Sequence, residues 1–152
     1  MVNLKKAELK DGEFILEVRN DNSTLKFLHD SRKFSLENFK LWFEMNNPQW
    51  FIIQADEKDV GYIRTKWIKE NEILQVGADI HPSCRGLGYG KAAYILLFEH
   101  FNYVKKFTLE VFADNIIALN LYENLGFVKV SEYEFYANDT TRISVVMEKM
   151  YN

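Results

Sequence analysis

The sequence contains few of the residues that mark disulfide-rich or low-complexity proteins. It has 1 cysteine, 2 prolines and 7 glycines among 152 residues. The one cysteine, Cys84, excludes a disulfide within the chain and indicates a reducing compartment. With so little proline and glycine, and with no internal repeat, no segment resembles a linker. We therefore expect a single domain over residues 1–152.

Long apolar runs and a strong excess of one charge are also absent. No stretch approaches the roughly 20 apolar residues of a transmembrane helix, and the N-terminus lacks the apolar core of a signal peptide. The formal net charge of −3 gives no basic surface for nucleic acid. These absences predict a cytoplasmic protein that binds neither membrane nor nucleic acid. What the chain does have, 47% hydrophobic and 15% aromatic residues, is typical of a globular fold with a substantial core.

The spacing of apolar residues predicts a mixed sheet flanked by helices, in the α/β (α+β) class. Strands are expected at residues 2–9, 50–55, 60–68, 72–80, 107–111, 127–136 and 142–150. Helices are expected after the N-cap candidate Ser35, over residues 91–104 and over residues 115–125, and Gly126 should end the last of these. Short helical or loop pieces are expected at 14–19 and 25–29. Short polar turns predict antiparallel pairing for the three strands between 50 and 80. The strand at 107–111 should lie parallel to its predecessor, because a helix returns the chain.

One stretch has an unusual composition. The strand that ends at Ile80 is followed by Pro82 and then by RGLGYGK at residues 85–91, in which three glycines alternate between two cations. An amphipathic helix comes next. The backbone N–H groups at the start of a helix have no intrahelical partner, and the helix dipole favours an anion there. Glycine permits positive φ and close approach of the backbone, so we expect this turn to bind a phosphate group.

Two familiar phosphate motifs can be compared with this turn. The P-loop pattern does not fit, because Ala92 follows Lys91 where serine or threonine is required. The dinucleotide pattern G-x-G-x-x-[GA] fits at Gly88, Gly90 and Ala93, and Glu110 lies near the expected position of a ribose partner. The glycines do not directly follow the strand, however. An NAD-binding oxidoreductase is therefore a distant alternative.

A longer pattern fits better. Residues 80–90 resemble the signature [VI]-x-x-x-x-[QR]-x-x-G-x-[GA] of the GNAT superfamily of acyl-CoA-dependent N-acyltransferases. Residues 115–127 resemble that family's second conserved block, N-x-x-A-x-x-[LF]-Y-x-x-x-G-F. The predicted elements before and after these blocks follow the family's order. The resemblance implies an enzyme that transfers an acetyl group from acetyl-CoA to a primary amine.

The resemblance also implies where the cofactor binds. Two central parallel strands splay apart in this family, the pantetheine arm pairs with the exposed strand edge, and the pyrophosphate lies on the glycine-rich turn. Tyr122 occupies the position of the acid that protonates the departing thiolate, and Asn115 would contact the pantetheine arm, cap its helix, or both. The implied cofactor-binding residues are Ala78, Asp79, Ile80, Arg85, Gly86, Leu87, Gly88, Tyr89, Gly90, Lys91, Asn115 and Tyr122.

The general base is not defined by the sequence. The candidates are Asp79, Glu72, Glu110, His29 and His81. A water relay is the alternative, since amines with pKa near 8 keep an appreciable neutral fraction at neutral pH. The 3 histidines lack the spacing of metal ligands, so no metal is predicted.

The N-terminal segment gives an expectation for the acceptor. Arg19-Asn20, Ser35, Glu37 and Trp42 resemble the segment of GNAT members that acetylate amino groups of nucleotide-linked deoxysugars. The same segment resembles acetyltransferases of ribosomal-protein N-termini, and Phe39 stands where these relatives often carry histidine. We expect a nucleotide-linked amino deoxysugar as acceptor, with a peptide N-terminus as the alternative. A non-catalytic acyl-CoA sensor is a third interpretation. Arg19 would pair with a diphosphate or with a surface carboxylate, and Trp42 would belong to the core.

Overall fold

The computed structural model describes residues 1–150. Its strands are β1 (Val2–Lys6), β2 (Phe51–Ala55), β3 (Lys58–Lys69), β4 (Ile73–Ile80), β5 (Lys106–Phe112), β6 (Val128–Ala137) and β7 (Thr140–Met150). They form one sheet in the order β1-β2-β3-β4-β5-β7-β6. The β4–β5 pair is parallel, whereas β1–β2, β2–β3, β5–β7 and β6–β7 are antiparallel. The predicted mixed and mostly antiparallel sheet is confirmed.

The helices are α1 (Gly12–Arg19), α2 (Asn22–Leu25), α3 (Leu36–Asn46), α4 (Tyr89–His100) and α5 (Ile116–Asn124). Ser35 caps α3 as predicted, because its hydroxyl accepts a hydrogen bond from the Asn38 N–H at 3.1 Å. The prediction for α4 is too long at its C-terminal end. Phe101 and Val104 continue the helical spacing, but they lie in the turn after His100, where both are buried. None of the helices within residues 1–150 combines the length and the apolar character of a membrane-spanning segment.

The described residues form two compact units, and the first consists of Met1–Lys66 with Gly77–His100. Its core cluster contains Ala7, Ile15, Leu16, Val18, Phe39, Phe43, Ile52 and Tyr62. Residues of α1 and α3 thus pack against β2 and β3. The first unit also contains the glycine-rich turn and the end of β4. A single functional domain over the whole chain stays a prediction.

The second unit consists of Trp67–Val76 and the described chain from Phe101 onward. Here β5 pairs with β7 along its full length, from Lys106 to Phe112. The parallel ladder between β4 and β5 is short, with three pairs from Ile73↔Lys106 to Gln75↔Thr108. It confirms the predicted parallel pairing. The edge strand β6 is exposed along nearly all of its length.

Candidate functional site

The end of β4 leads directly into the glycine-rich turn. Its last parallel pair with β5 is at Gln75, and the strand continues to Ile80. Beyond it, the His81 N–H donates a hydrogen bond to the Val60 carbonyl of β3 at 2.8 Å. A 3₁₀ turn at Pro82–Cys84 then redirects the chain toward α4. The strand end and the turn are therefore held against β3.

Two of the three glycines in the turn have left-handed backbone conformations. φ is +76° at Gly86 and +82° at Gly88, whereas Gly90 lies inside α4. A Cβ added at Gly86 or Gly88 would meet no atom within 4 Å. Glycine is therefore required there by the backbone conformation and not by lack of space.

The turn presents a row of unused donors at the start of α4. Among residues 1–150, no group accepts a hydrogen bond from the backbone N–H of residues 86–91, and the first such bond runs from the Ala92 N–H to the Gly88 carbonyl at 3.2 Å. Gly88, which precedes the helix, has no side chain that could act as a cap. The positive end of the helix dipole lies at the same place. This arrangement fits a diphosphate group.

The two cations that flank the glycines have different surroundings. The Arg85 guanidinium donates from Nε to the Ile80 carbonyl (3.1 Å), from Nη1 to Ser23 Oγ (2.7 Å) and from Nη2 to Thr24 Oγ1 (2.9 Å). Lys91 lies exposed in the first turn of α4. The expected contact of Arg85 with a pyrophosphate stays a prediction, since three of its N–H groups are already engaged.

A polar cluster surrounds Asp79 near the end of β4. Arg64 Nε lies 3.3 Å from Asp79 Oδ2, and the Asp79 side chain is only 12% exposed. A Cβ at Gly77 would lie 2.5 Å from Arg64 Nη2, so this glycine allows the guanidinium to lie close to β4. Tyr62 is fully buried beside this pair. Burial, followed by the nearby Asp79 carboxylate, raises the pKa of the Tyr62 phenol well above its usual value, which keeps it neutral.

His81, another candidate base, is engaged at both ring nitrogens. Nδ1 accepts a hydrogen bond from the Ser83 N–H at 3.1 Å, which assigns the proton of the neutral ring to Nε2. Nε2 lies 3.2 Å from Glu17 Oε1 on α1. The ring also stacks on Phe14 at a centroid distance of 6.3 Å. His81 thus connects the turn after β4 to α1.

The candidate bases in the second unit also have partners. Glu72 lies 2.9 Å from Lys105 Nζ and 3.0 Å from Lys69 Nζ, and hydrogen bonds from these two lysines lower the pKa of its carboxyl. Glu110 accepts a hydrogen bond from the Tyr133 hydroxyl at 2.6 Å. His29, which lies in the first unit, also has a polar or ring contact. All five candidates therefore have existing contacts, and a water relay stays the alternative to each of them.

The second conserved block forms α5 and its two ends. The Asn115 Oδ1 accepts a hydrogen bond from the Ala118 N–H at 3.3 Å, so the predicted cap is confirmed. Tyr122 is half-buried, and its ring contacts Phe127 edge to face at 5.9 Å. Gly126 follows the helix with φ of +98°, as predicted for a residue that ends it. The roles of Asn115 toward the pantetheine arm and of Tyr122 as an acid stay predictions.

The residues of the N-terminal acceptor segment have mainly structural contacts. Arg19 is 8% exposed, donates to the carbonyls of Arg32 (2.6 Å) and Asp30 (2.9 Å), and lies over the Phe34 ring. Asn20 exchanges two hydrogen bonds with the Phe34 backbone, at 2.8 and 3.1 Å. This pair thus holds the loop at residues 30–34, and within residues 1–150 the partners of Arg19 are backbone carbonyls and an aromatic ring, not a surface carboxylate. Sequence spacing could not show this, because the acceptors are backbone carbonyls.

Trp42 differs from its prediction. The residue is 41% exposed, although the helical spacing placed it in the core. It contacts Trp50 at a centroid distance of 5.3 Å and Phe39 at 6.0 Å. The spacing of apolar residues in α3 identifies the face that packs against the core, but it does not show where that face ends. Trp42 lies at the border between this face and the exposed side of the helix. Part of the Trp42 side chain is therefore exposed within the acceptor segment.

Comparison with known families decides the classification. The sequence profile of the acetyltransferase (GNAT) family matches residues 13–127. The chain belongs to this family. The dinucleotide-binding interpretation of Gly88, Gly90 and Ala93 is therefore wrong, because these residues lie within an acetyltransferase domain. A GNAT N-acetyltransferase domain uses acetyl-CoA as acyl donor, and the amides of the glycine-rich turn fit its diphosphate.

Part of the chain is similar in sequence to a protein with an acetyltransferase name. The chain is 36% identical over 64 residues to an N-acetyltransferase 9-like protein of Nematostella vectensis. This match includes 40% of the chain and 32% of that protein, so it spans about a third of the relative's length. No group of three or more His, Cys, Asp or Glu residues within the described chain could hold a metal ion.

Solved structures share the fold at low sequence identity. Spermidine N-acetyltransferase from Vibrio cholerae, in complex with CoA and spermine, is 19% identical with a TM-score of 0.91, covering 99% of this chain and 95% of that one. Ribosomal-protein-alanine N-acetyltransferase from Brucella melitensis is 15% identical, with a TM-score of 0.83 and coverage of 97% and 99%. The yncA protein from Salmonella typhimurium, with its cofactor acetyl-CoA, is 14% identical, with a TM-score of 0.83 and coverage of 100% and 95%. These likenesses show the fold.

Proposed function

We propose that this protein transfers the acetyl group of acetyl-CoA to the primary amine of a nucleotide-linked amino deoxysugar. The observation that supports cofactor binding most strongly is the row of unused backbone N–H groups at residues 86–91. These donors lie close together and are open to a ligand, and a diphosphate supplies several acceptor oxygens at once. Family membership supports the acetyl donor.

In this proposal the cofactor contacts the first unit mainly through its main chain. The diphosphate accepts hydrogen bonds from the amides of residues 86–91, and the ammonium of Lys91 adds a positive charge. The pantetheine arm pairs with the backbone of Ala78, Asp79 and Ile80. Support comes from the end of the parallel ladder at Gln75, five residues before the end of β4.

The reaction needs a neutral amine, a polarised carbonyl and a proton for the leaving group. The amine nitrogen attacks the thioester carbonyl and forms the C–N bond, while a backbone N–H near Asp79 or Ile80 stabilises the oxygen as it becomes negative. The C–S bond then breaks, and Tyr122 gives its proton to the departing thiolate. The amine loses its own proton to water. The phenol returns to its neutral form by taking a proton from solvent.

The acceptor assignment rests on the N-terminal segment. Its residues resemble those of enzymes that acetylate nucleotide-linked deoxysugars, and the loop at residues 30–34 is fixed in place by Arg19 and Asn20. The partly exposed Trp42 side chain would offer an apolar surface for a sugar or base. A peptide N-terminus is the alternative acceptor, supported by the same segment.

A thiol-release assay with acetyl-CoA would test the acceptor. The panel would contain a nucleotide-linked amino deoxysugar, the same sugar without its nucleotide, a peptide with N-terminal alanine, and spermidine. We expect the sugar nucleotide to give the highest kcat/KM. A higher value for the peptide would establish the alternative. If no amine releases thiol while CoA still raises Tm, the sensor interpretation is favoured.

A further inference from the structure

The side chain of Arg85 joins two elements that are far apart in sequence. Its Nε donates to the carbonyl of Ile80, the last residue of β4, and its two Nη atoms donate to Ser23 and Thr24 of α2. Thr24 is only 4% exposed. Three of the five N–H groups of the guanidinium are therefore directed toward the protein.

An acidic residue completes this arrangement. The Ser23 hydroxyl lies in hydrogen-bond contact with Asp21 Oδ2, which also accepts from the Ser23 N–H at 3.0 Å. Because a hydroxyl has one proton, the Ser23 hydroxyl donates it to Asp21 and accepts from Arg85 with its oxygen. Arg85, Ser23 and Asp21 thus form a charge-assisted chain from the glycine-rich turn to the cap of α2.

The other end of the same segment is also anchored. His81 is bound to Glu17 of α1 and to the Val60 carbonyl of β3. The residues between the end of β4 and the first glycine therefore have contacts with α1, α2 and β3. Within residues 1–150, the turn that follows them has no hydrogen bonds from its own amides at residues 86–91, so these anchors are what fixes its position.

We propose that Arg85 is a positioning residue, which orients the amides of the turn through Ser23 and Thr24, and that the diphosphate of CoA is bound by the main chain without Arg85. The inference rests on the proposed function, since it takes CoA as the ligand. It has an unexpected consequence. Two hydroxyl groups on α2 determine the affinity for the cofactor although they do not contact it.

A mutant cycle tests this proposal. The dissociation constant of CoA would be measured for the wild type, for R85A, for the S23A/T24V double variant and for the triple variant. We expect R85A and S23A/T24V each to weaken CoA binding by about tenfold, and the triple variant to be no weaker than R85A within about twofold. R85K should also bind about tenfold more weakly, because an ammonium cannot bridge three fixed acceptors.

The readouts separate positioning from direct contact. We expect KM for acetyl-CoA to rise in S23A/T24V while kcat stays within about twofold. R32A serves as the matched control, because Arg32 is an exposed arginine paired with Asp30, and it should bind CoA as the wild type does. Far-UV circular dichroism would show that each variant is folded. If R85A does not fold, S23A and T24V as single variants test the same two contacts with smaller effects.

Two results would overturn the inference. Wild-type affinity in S23A/T24V together with weak binding in R85A would show that Arg85 contacts the diphosphate itself. Fully additive effects in the triple variant would show the same. Absence of CoA binding to the wild-type protein would contradict the proposed function as well, so the two failures can be told apart.

Discussion

The starts of α4 and α5 differ in how the first backbone N–H groups of the helix find hydrogen-bond acceptors. At α5, the side chain of Asn115 accepts a hydrogen bond from the Ala118 N–H, so the helix start is capped by the protein. At α4, the preceding residue is Gly88, and the amides of residues 86–91 have no acceptor within the described chain. Of these two helices, the one without a side-chain cap is α4, which follows the family's cofactor motif.

The comparison separates two kinds of functional residue. In the first block, glycines give the backbone a conformation in which its own N–H groups can bind an anion. In the second block, we expect the Tyr122 side chain to act, while the backbone is satisfied internally. Substitutions in the first block should therefore change cofactor affinity, and substitutions in the second should change turnover.

The largest expected effect is that of Y122F. Removal of the phenolic proton should lower kcat by about 10²-fold or more, which is the range of general acid catalysis. The Kd of acetyl-CoA should change by less than about threefold. Stopped-flow or thiol-release kinetics would measure the first and calorimetry the second. An unchanged kcat would remove Tyr122 as the acid and weaken the contrast between the blocks.

The next effect concerns the left-handed glycines. G88A places a Cβ at φ of +82°, a conformation that costs an L-residue of order 1–2 kcal/mol, and the turn should relax to a different shape. We expect the Kd of CoA to rise at least tenfold. G126A, at φ of +98° after α5, is the matched control. It should lower Tm and leave CoA affinity nearly unchanged. Equal losses of affinity in both variants would contradict the comparison.

A smaller effect is expected from the charge of Lys91. K91A removes an exposed ammonium, whose attraction to a diphosphate is screened by solvent and salt. The Kd of CoA should rise by about two- to fivefold at low salt, and the difference from wild type should shrink at 0.5 M salt, where the screening length is only about 4 Å. K33A, another exposed lysine, should have no effect. An unchanged Kd in K91A would assign binding to the amides alone.

The smallest effect concerns the caps. N115A should lower the free energy of unfolding by about 1 kcal/mol, because the Ala118 N–H loses its acceptor. S35A should cost about the same at the start of α3. The two variants are expected to differ in their effect on acetyl-CoA binding. N115A should also weaken acetyl-CoA binding if Asn115 contacts the pantetheine arm, whereas S35A should not. Chemical denaturation and calorimetry would provide both values.

The order of strands and helices could be predicted from sequence because it depends on local spacing. The glycine-rich turn, the start of α3 and the end of α5 follow from residue types at fixed positions. These residues are Gly88, Ser35 and Gly126, respectively. The end of α4 could not be predicted, because Phe101 and Val104 are buried outside the helix while keeping its spacing. The spacing of apolar residues shows which residues are buried. It does not separate the last turn of a helix from a buried turn that follows the helix.

The contacts of charged residues were the least predictable. Arg85 binds residues that lie about sixty positions earlier, and Arg19 binds backbone carbonyls that any sequence would provide. Both arginines have the residue type and place expected of anion ligands. Only the fold shows that their donors are engaged within the protein. The residue type therefore predicts a cationic hydrogen-bond donor at each position, whereas the tertiary structure determines which groups accept its hydrogen bonds.

The most direct test is to observe the amides of the turn. In ¹H–¹⁵N spectra, addition of CoA should shift the N–H signals of Gly86, Gly88 and Gly90 and protect them from exchange. Pantetheine, which lacks the diphosphate, should leave these three signals near their free positions. CoA binding that shifts other amides but leaves these glycines unchanged and unprotected would contradict the account.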